Sequence, residues 1–193
     1  MTDDPLDLFT RWFEEAREQG AFEPQAVALA TATPDGVPSA RMVLMKGFDE
    51  RGLTFFTNYA SRKGDELEAN PRAALLFHWP EVGRQVRIEG SVSRVDRSET
   101  EAYARSRERA SQLSALASPQ SRPVPDRAWL ERRVEELDSE HAGAELPVSD
   151  DWGGYRLEPR AWEFWEHRPN RLHDRVQYER GDDGAWRAER LAP

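Results

Sequence analysis

Residues 26–45 read AVALATATPDGVPSARMVLM. On both sides of Pro34-Asp35-Gly36 the residues alternate with period two, as half-buried strands do. The central three are turn residues for separate reasons: proline presets φ, aspartate bonds nearby backbone, and glycine accepts positive φ. The stretch therefore reads as a hairpin, and a hairpin commits its sheet to antiparallel pairing. Working outward, GFDERG (47–52) turns the chain again and LTFFTN (53–58) supplies a third strand. RAALLFHW (72–79) and RQVRIEGSVSRVD (84–96) are strands flanking the turn PEVG. WGGYRLEPRAWEFWEH (152–167) is another strand, and 175–193 form a hairpin around Gly181-Asp182-Asp183-Gly184.

Helices interrupt this pattern. Leu6, Phe9, Trp12, Phe13 and Ala16 recur at helical spacing within 5–19. SRKGDELEANP (61–71) reads as a short helix, with Asn58 or Ser61 to cap it and Pro71 beyond its end. Residues 98–117 turn helical as far as the proline-rich loop SPQSRPVPD. A further helix follows over 127–142, with Leu130, Val134 and Leu137 on one side. The expected fold is α+β and mainly β: an antiparallel sheet closed into a barrel, with helices packed outside. One domain spans 1–193, with an N-terminal helical segment 1–20 and a helical insertion 98–142.

Composition narrows the function. The chain has 193 residues, 38% hydrophobic and 33% charged, with a formal charge of −9. No apolar run is long enough to span a bilayer, and the start, MTDDPLDLFTRWF, is acidic where a secretory signal is basic. The absence of cysteine excludes disulfides and thiolate chemistry and fits a cytoplasmic location. A pI near 5.1 argues against a nucleic-acid binder. No nucleophile elbow, Walker loop or dinucleotide glycine fingerprint is present, and four histidines without a helical carboxylate register suggest no metal.

Basic residues nonetheless gather at strand ends and turns: Arg41 and Lys46, Ser61-Arg62-Lys63, Arg84 to Arg87, and Arg171 to Arg175. Each cluster alone is compatible with a solvated surface. Ser61-Arg62-Lys63 opens a helix, where backbone N–H groups and the macrodipole attract anions; a hydroxyl, a guanidinium and an ammonium there suit a phosphate monoester. Gln85 faces opposite to Val86 and both donates and accepts, as the edge of a heterocycle requires. In RPNRLHDR (168–175), strand parity sets residues 171, 173 and 175 on one face and turns Asp174 away from His173.

The segments ARMVLMKGFDERGLTFFTNYASRKGDELEANPRAALLFHWPEVGRQVRIEG (40–90), SPQSR, WGGYRL, EFWEHRPNRLHDR and WRAERLAP resemble, in order and spacing, the pyridoxine/pyridoxamine 5′-phosphate oxidases, from about Phe9 to Pro193. The resemblance implies an FMN-binding split β-barrel, working as a homodimer with active sites at the subunit interface. It implies oxidation of pyridoxamine or pyridoxine 5′-phosphate to pyridoxal 5′-phosphate, with O2 as acceptor and H2O2 released. It assigns FMN contacts to Arg41, Met42, Val43, Leu44, Met45, Lys46, Phe56, Thr57, Arg62, Lys63, Gln85, Gln120, Ser121, Trp165 and Arg175. It assigns the substrate phosphate to Lys46, Tyr103, Arg107 and Ser111. Arg171, Leu172 and His173 are assigned to the substrate ring, with Arg171 and His173 as the catalytic pair.

The chain departs from the family pattern within SRERASQLSALASPQS (106–121), where Glu108, Ala110, Ser114 and Leu116 replace the usual residues. It also lacks the proline that usually precedes Trp152, and nothing before Phe9 matches the substrate-covering arm of many relatives. Two alternatives stay open: a split-barrel flavin oxidase of the phenazine-biosynthesis type, and a flavin-binding barrel without turnover.

Overall fold

The structure, a computed structural model, describes residues 4–193; residues 1–3 of the expected helical segment 1–20 lie outside the described residues. The chain order is α1 (Pro5–Glu18), β1 (Ala26–Ala32), β2 (Pro38–Asp49), β3 (Gly52–Asn58), α2 (Arg62–Ala69), β4 (Arg72–Trp79), β5 (Arg84–Arg94), α3 (Arg97–Ser106), α4 (Arg109–Ala117), α5 (Arg127–Glu140), β6 (Trp152–Glu166), β7 (Asp174–Arg180) and β8 (Trp186–Arg190). Among the described residues no helix is long and apolar enough to cross a membrane.

All strand pairs are antiparallel, in the order β3-β2-β1-β4-β5-β6-β7-β8, and β3 pairs with β6 as well. That extra pairing, from Leu53 opposite Leu157 to Asn58 opposite Trp152, closes six strands into a barrel. Closure removes the edges of these six strands, and β8, paired only with β7, ends the sheet. β6 is long enough to do two jobs: its first half pairs with β3, and Ala161–Glu166 pair with β7, which leads out of the barrel with β8. The β5–β6 register shifts between Glu89 and Gly90, opposite Ala161 and Pro159. A bulge is where a strand tolerates a proline and bends. The backbones approach so closely there that a Cβ on Gly90 would fall 1.9 Å from the Glu158 carbonyl oxygen.

Alternation sends Val27, Leu29, Phe55, Leu75, Phe77, Val86, Ile88, Trp162 and Phe164 inward, all essentially inaccessible. Helix α1 starts at Asp4, whose side chain accepts from the Leu6 N–H at 2.8 Å, and Pro5 occupies a first-turn position that has no N–H to lose. Its Phe9 ring lies against Phe48, Phe77 and Trp162 at 5.0, 5.2 and 5.3 Å, so the helix seals the core. A second, smaller apolar cluster joins Leu113, Ala117, Leu137 and Leu146 and fixes α4 and α5 together.

Two expectations change. The helical stretch 98–117 is two helices, because Arg107 is extended (φ −79°, ψ 151°) and its carbonyl accepts from the Gln112 side chain instead of continuing the helix. Residues 171–173 are not strand. Pro169–Arg171 form a 3-10 turn with Asn170 and Arg171 at φ 59° and 62°, and β7 begins only at Asp174. The parity that would set 171, 173 and 175 on one face therefore does not apply.

Candidate active site

A cavity of about 1020 Å3 opens between β2, the end of β3, α2 and the α3–α4 pair. Strand β2 contributes Arg41, Met42, Val43, Leu44 and Lys46, and β3 contributes Phe56 and Thr57. Lys63 comes from α2, Tyr103, Arg107 and Ser111 from the helical pair, and Gln120 and Ser121 from the loop behind it. Thirteen residues singled out in the sequence thus share one concave surface. Met45 does not share it: its side chain is 5% exposed and packs in the barrel core, because the inward side of β2 has by then entered the core. Arg62 precedes Lys63 in the chain but does not line the cavity, and its side chain pairs with Glu66.

Ser61 caps α2, accepting from the Gly64 N–H, and Lys63 in the first turn of this helix lines the cavity. Lys63 is 7% exposed, and its ammonium donates to Gln120 Oε1 at 3.0 Å and to Thr57 Oγ1 and Ser61 Oγ at 3.2 Å. All three acceptors are neutral. Burial pushes the Lys63 pKa down and nearby Arg41 adds to this, with Glu66 opposing. A buried ammonium without a bonded carboxylate is costly, and an anion bound in the cavity would supply the missing charge. The uncompensated charge, beside Arg41, therefore suits an anion such as a phosphate.

The opposite wall is aromatic. Phe56 stacks on Tyr103 at 4.0 Å and on Trp152 at 5.6 Å, and the Arg107 guanidinium lies 5.0 Å from the Trp152 ring centre. A Cβ on Gly154 would come within 2.8 Å of the Phe56 ring, so the glycine opposite Phe56 in the β3–β6 ladder lets that ring lie flat. Trp152 and Asn58 line the cavity and were not among the expected residues; they meet only where β3 pairs with β6.

The remaining expected residues lie elsewhere in the protomer. Gln85, Trp165 and Arg175 form one row across β5, β6 and β7. The His173 ring sits 4.6 Å from Trp165 and 5.2 Å from His167, and His173 Nδ1 accepts from the Arg168 backbone N–H at 3.1 Å. Asp174 bonds Arg168 and Arg190, not His173. Arg175 donates to the buried Glu163 and to the Ala192 carbonyl, and Leu172 is 71% exposed. None of Gln85, Trp165, Arg171, Leu172, His173 and Arg175 lines the cavity.

A six-stranded antiparallel barrel with a long shared strand leading out of it is a split β-barrel. The same fold is seen in an FMN-binding protein of Nostoc punctiforme, which superposes with a TM-score of 0.76 at 21% identity, over 98% of both chains. Residues 13–141 match the family model described as pyridoxamine 5′-phosphate oxidase, and residues 152–193 match that of the pyridoxine 5′-phosphate oxidase C-terminal dimerisation region. The chain belongs to the pyridoxamine 5′-phosphate oxidase family, a family of oxidoreductases. It is 56% identical to the pyridoxine/pyridoxamine 5′-phosphate oxidase of Rubrobacter xylanophilus, covering 98% of this chain and 87% of that one. It is 51% identical to the protein of that name from Salinibacter ruber, over 100% and 91%. The solved structure of PhzG from Burkholderia lata, in complex with tetrahydrophenazine-1-carboxylic acid, superposes with a TM-score of 0.94. It is 37% identical and covers 100% of this chain and 94% of that one.

Proposed function

We propose that the protein is an FMN-dependent oxidase converting pyridoxamine and pyridoxine 5′-phosphates to pyridoxal 5′-phosphate. The observation that carries this reading is the buried Lys63 ammonium, held only by neutral oxygens at the cavity wall. The cavity has cations enough for two phosphates: Lys63 and Arg41 at the helix end, Lys46 and Arg107 toward the aromatic wall. We assign the first pair to the FMN phosphate and the second, with Tyr103 and Ser111, to the substrate phosphate.

When bound, FMN supplies the two-electron acceptor that oxidises the substrate carbon and passes the electrons to O2, giving H2O2. The chain's own part is binding, orientation and proton placement. Because His173 Nδ1 accepts a backbone N–H, the neutral ring carries its proton on Nε2 and offers it to the substrate's ring hydroxyl. Trp165 and His167 fix the plane of that imidazole. Arg171 supplies a planar cation for the pyridine ring and its oxygen.

The two residue groups do not share a cavity within one protomer, so we assign them to one composite site built by two chains. The outer face of the sheet supports this: exposed Met42 and Leu76 flank Ala28 in register, an apolar row at the surface. The match of 152–193 to a dimerisation region covers Trp165, Arg171, His173 and Arg175.

The likeness to PhzG supports a second reading, an oxidase acting on a phenazine precursor. One experiment separates them. The purified protein is expected to be yellow and to bleach with pyridoxamine 5′-phosphate in the absence of air, recovering with oxygen. A yellow protein that bleaches only with tetrahydrophenazine-1-carboxylic acid, or with neither compound, would overturn the proposal.

A further inference from the structure

Helix α2 carries a buried glutamate. Glu66 is 5% exposed, and both carboxylate oxygens are engaged. Oε2 accepts from the Thr31 hydroxyl, from the Ser39 hydroxyl at 2.5 Å and from Arg41 Nη2 at 3.2 Å; Oε1 accepts from Arg62 Nε at 2.9 Å. These donors come from β1, β2 and α2, so one carboxylate ties three elements together. Arg41 is further held by Ser39 and by Thr31 Oγ1 at 2.5 Å, which leaves its long side chain a single orientation at the cavity wall. The two terminal nitrogens of Arg62 have no hydrogen-bond partner among the described residues.

We propose that Glu66 is a positioning residue for the phosphate end of the cavity, holding the Arg41 and Arg62 guanidiniums in place around Lys63. The inference rests on the reading of that end as the flavin phosphate site. A buried carboxylate next to an anion site would ordinarily repel the ligand. Here it is outnumbered by three cations, and the two positive charges left over match a phosphate dianion. Preorganised guanidiniums lose less freedom on gripping the ligand, and affinity gains accordingly.

The test is a fluorescence titration of the full-length protein, stripped of flavin, with FMN and with riboflavin. In Glu66→Gln the FMN Kd is expected to rise about tenfold while the riboflavin Kd stays within about twofold of wild type. Ser39→Ala, which removes one donor to the carboxylate and one acceptor from Arg41, is expected to shift FMN alone by about threefold and keeps the test available if Glu66→Gln does not fold. Unchanged or tighter FMN binding in these variants, or an equal loss for both ligands, would overturn the positioning role. A wild-type protein that binds riboflavin as tightly as FMN would overturn the phosphate-site reading itself.

Discussion

The Lys63 ammonium lies 3.0 Å from Gln120 Oε1, although 57 residues separate the two in the chain. The contact pins the loop after α4 to the start of α2 and holds an under-neutralised cation in the cavity wall. Its pKa direction has a consequence. Lys63 titrates below its ordinary 10.5 in the free protein, and a phosphate beside it favours the charged form. FMN affinity is therefore expected to be constant below that depressed pKa and to weaken as pH rises through it, before the usual lysine range is reached. Lys63→Met should bind FMN weakly at every pH and show no such dependence. Wild-type affinity that stays constant to pH 10.5 would refute this.

Arg62 is 61% exposed and anchored through Nε alone, leaving its fork available to an anion at the helix start. Arg62→Ala is expected to weaken FMN about tenfold, the scale of one charge-assisted hydrogen bond. Riboflavin should be nearly indifferent. Equal weakening of both, measured by the same titration, would make Arg62 a structural residue.

The shared site makes a prediction about assembly. Leu76, 37% exposed, belongs to the apolar row with Ala28 and Met42. Leu76→Asp would place a charge in that face, costing several kcal/mol if the face is covered. Sedimentation velocity should then show monomers, and absorbance should show that they have lost flavin. Monomers still fully loaded with FMN would mean that one chain builds the whole site.

Arg171 and His173 are expected to serve turnover, and Arg175 the flavin. Arg171→Lys and His173→Asn should each lower kcat/KM by about 1–3 kcal/mol of transition-state stabilisation with FMN retained. Arg175→Ala should shed flavin first. Colourless protein from the first two variants, or unchanged kinetics, would refute the division. Arg171 also sits at φ 62°, which disfavours a side-chain-bearing residue by about 1–3 kcal/mol. Arg171→Gly is therefore expected to be inactive with an unchanged or higher Tm.

Glu66 links the site to acid stability. Burial by itself would raise its pKa, but hydrogen bonds from Ser39, Thr31, Arg62 and Arg41 bring it from 4.5 down to about 2. A carboxylate whose folded pKa is depressed stabilises the protein above its unfolded pKa, and that contribution fades as pH falls through the folded value. Between pH 5 and 2 the wild type should lose about 3 kcal/mol more than Glu66→Gln. Denaturant titrations at stepped pH measure the difference; parallel losses would refute it.

Much of the barrel is legible along the chain. Pro34-Asp35-Gly36 and Gly181 to Gly184 turn the chain where β1–β2 and β7–β8 turn, because these residues favour turns without help from distant partners. The strands read at 72–79 and 84–96 are observed over 72–79 and 84–94, on either side of the turn PEVG. Ser61, one of the two caps considered, is the one used. The family resemblance identified thirteen residues that meet in one cavity, which no local pattern could have grouped.

What the sequence by itself determined is where most of the elements lie, since alternation and turn chemistry act over a few residues. Only the tertiary structure decided which elements meet. The β3–β6 ladder brings Trp152 to Phe56, and the packing of α2 on the β1–β2 hairpin sets Glu66 among Thr31, Ser39 and Arg41. It also replaced the expected strand at 171–173 with a turn whose left-handed residues depend on surroundings no neighbouring residue reveals. Burying a carboxylate or holding a strained turn is favourable only when partners far along the chain are already in place, and their arrival depends on how the barrel closes.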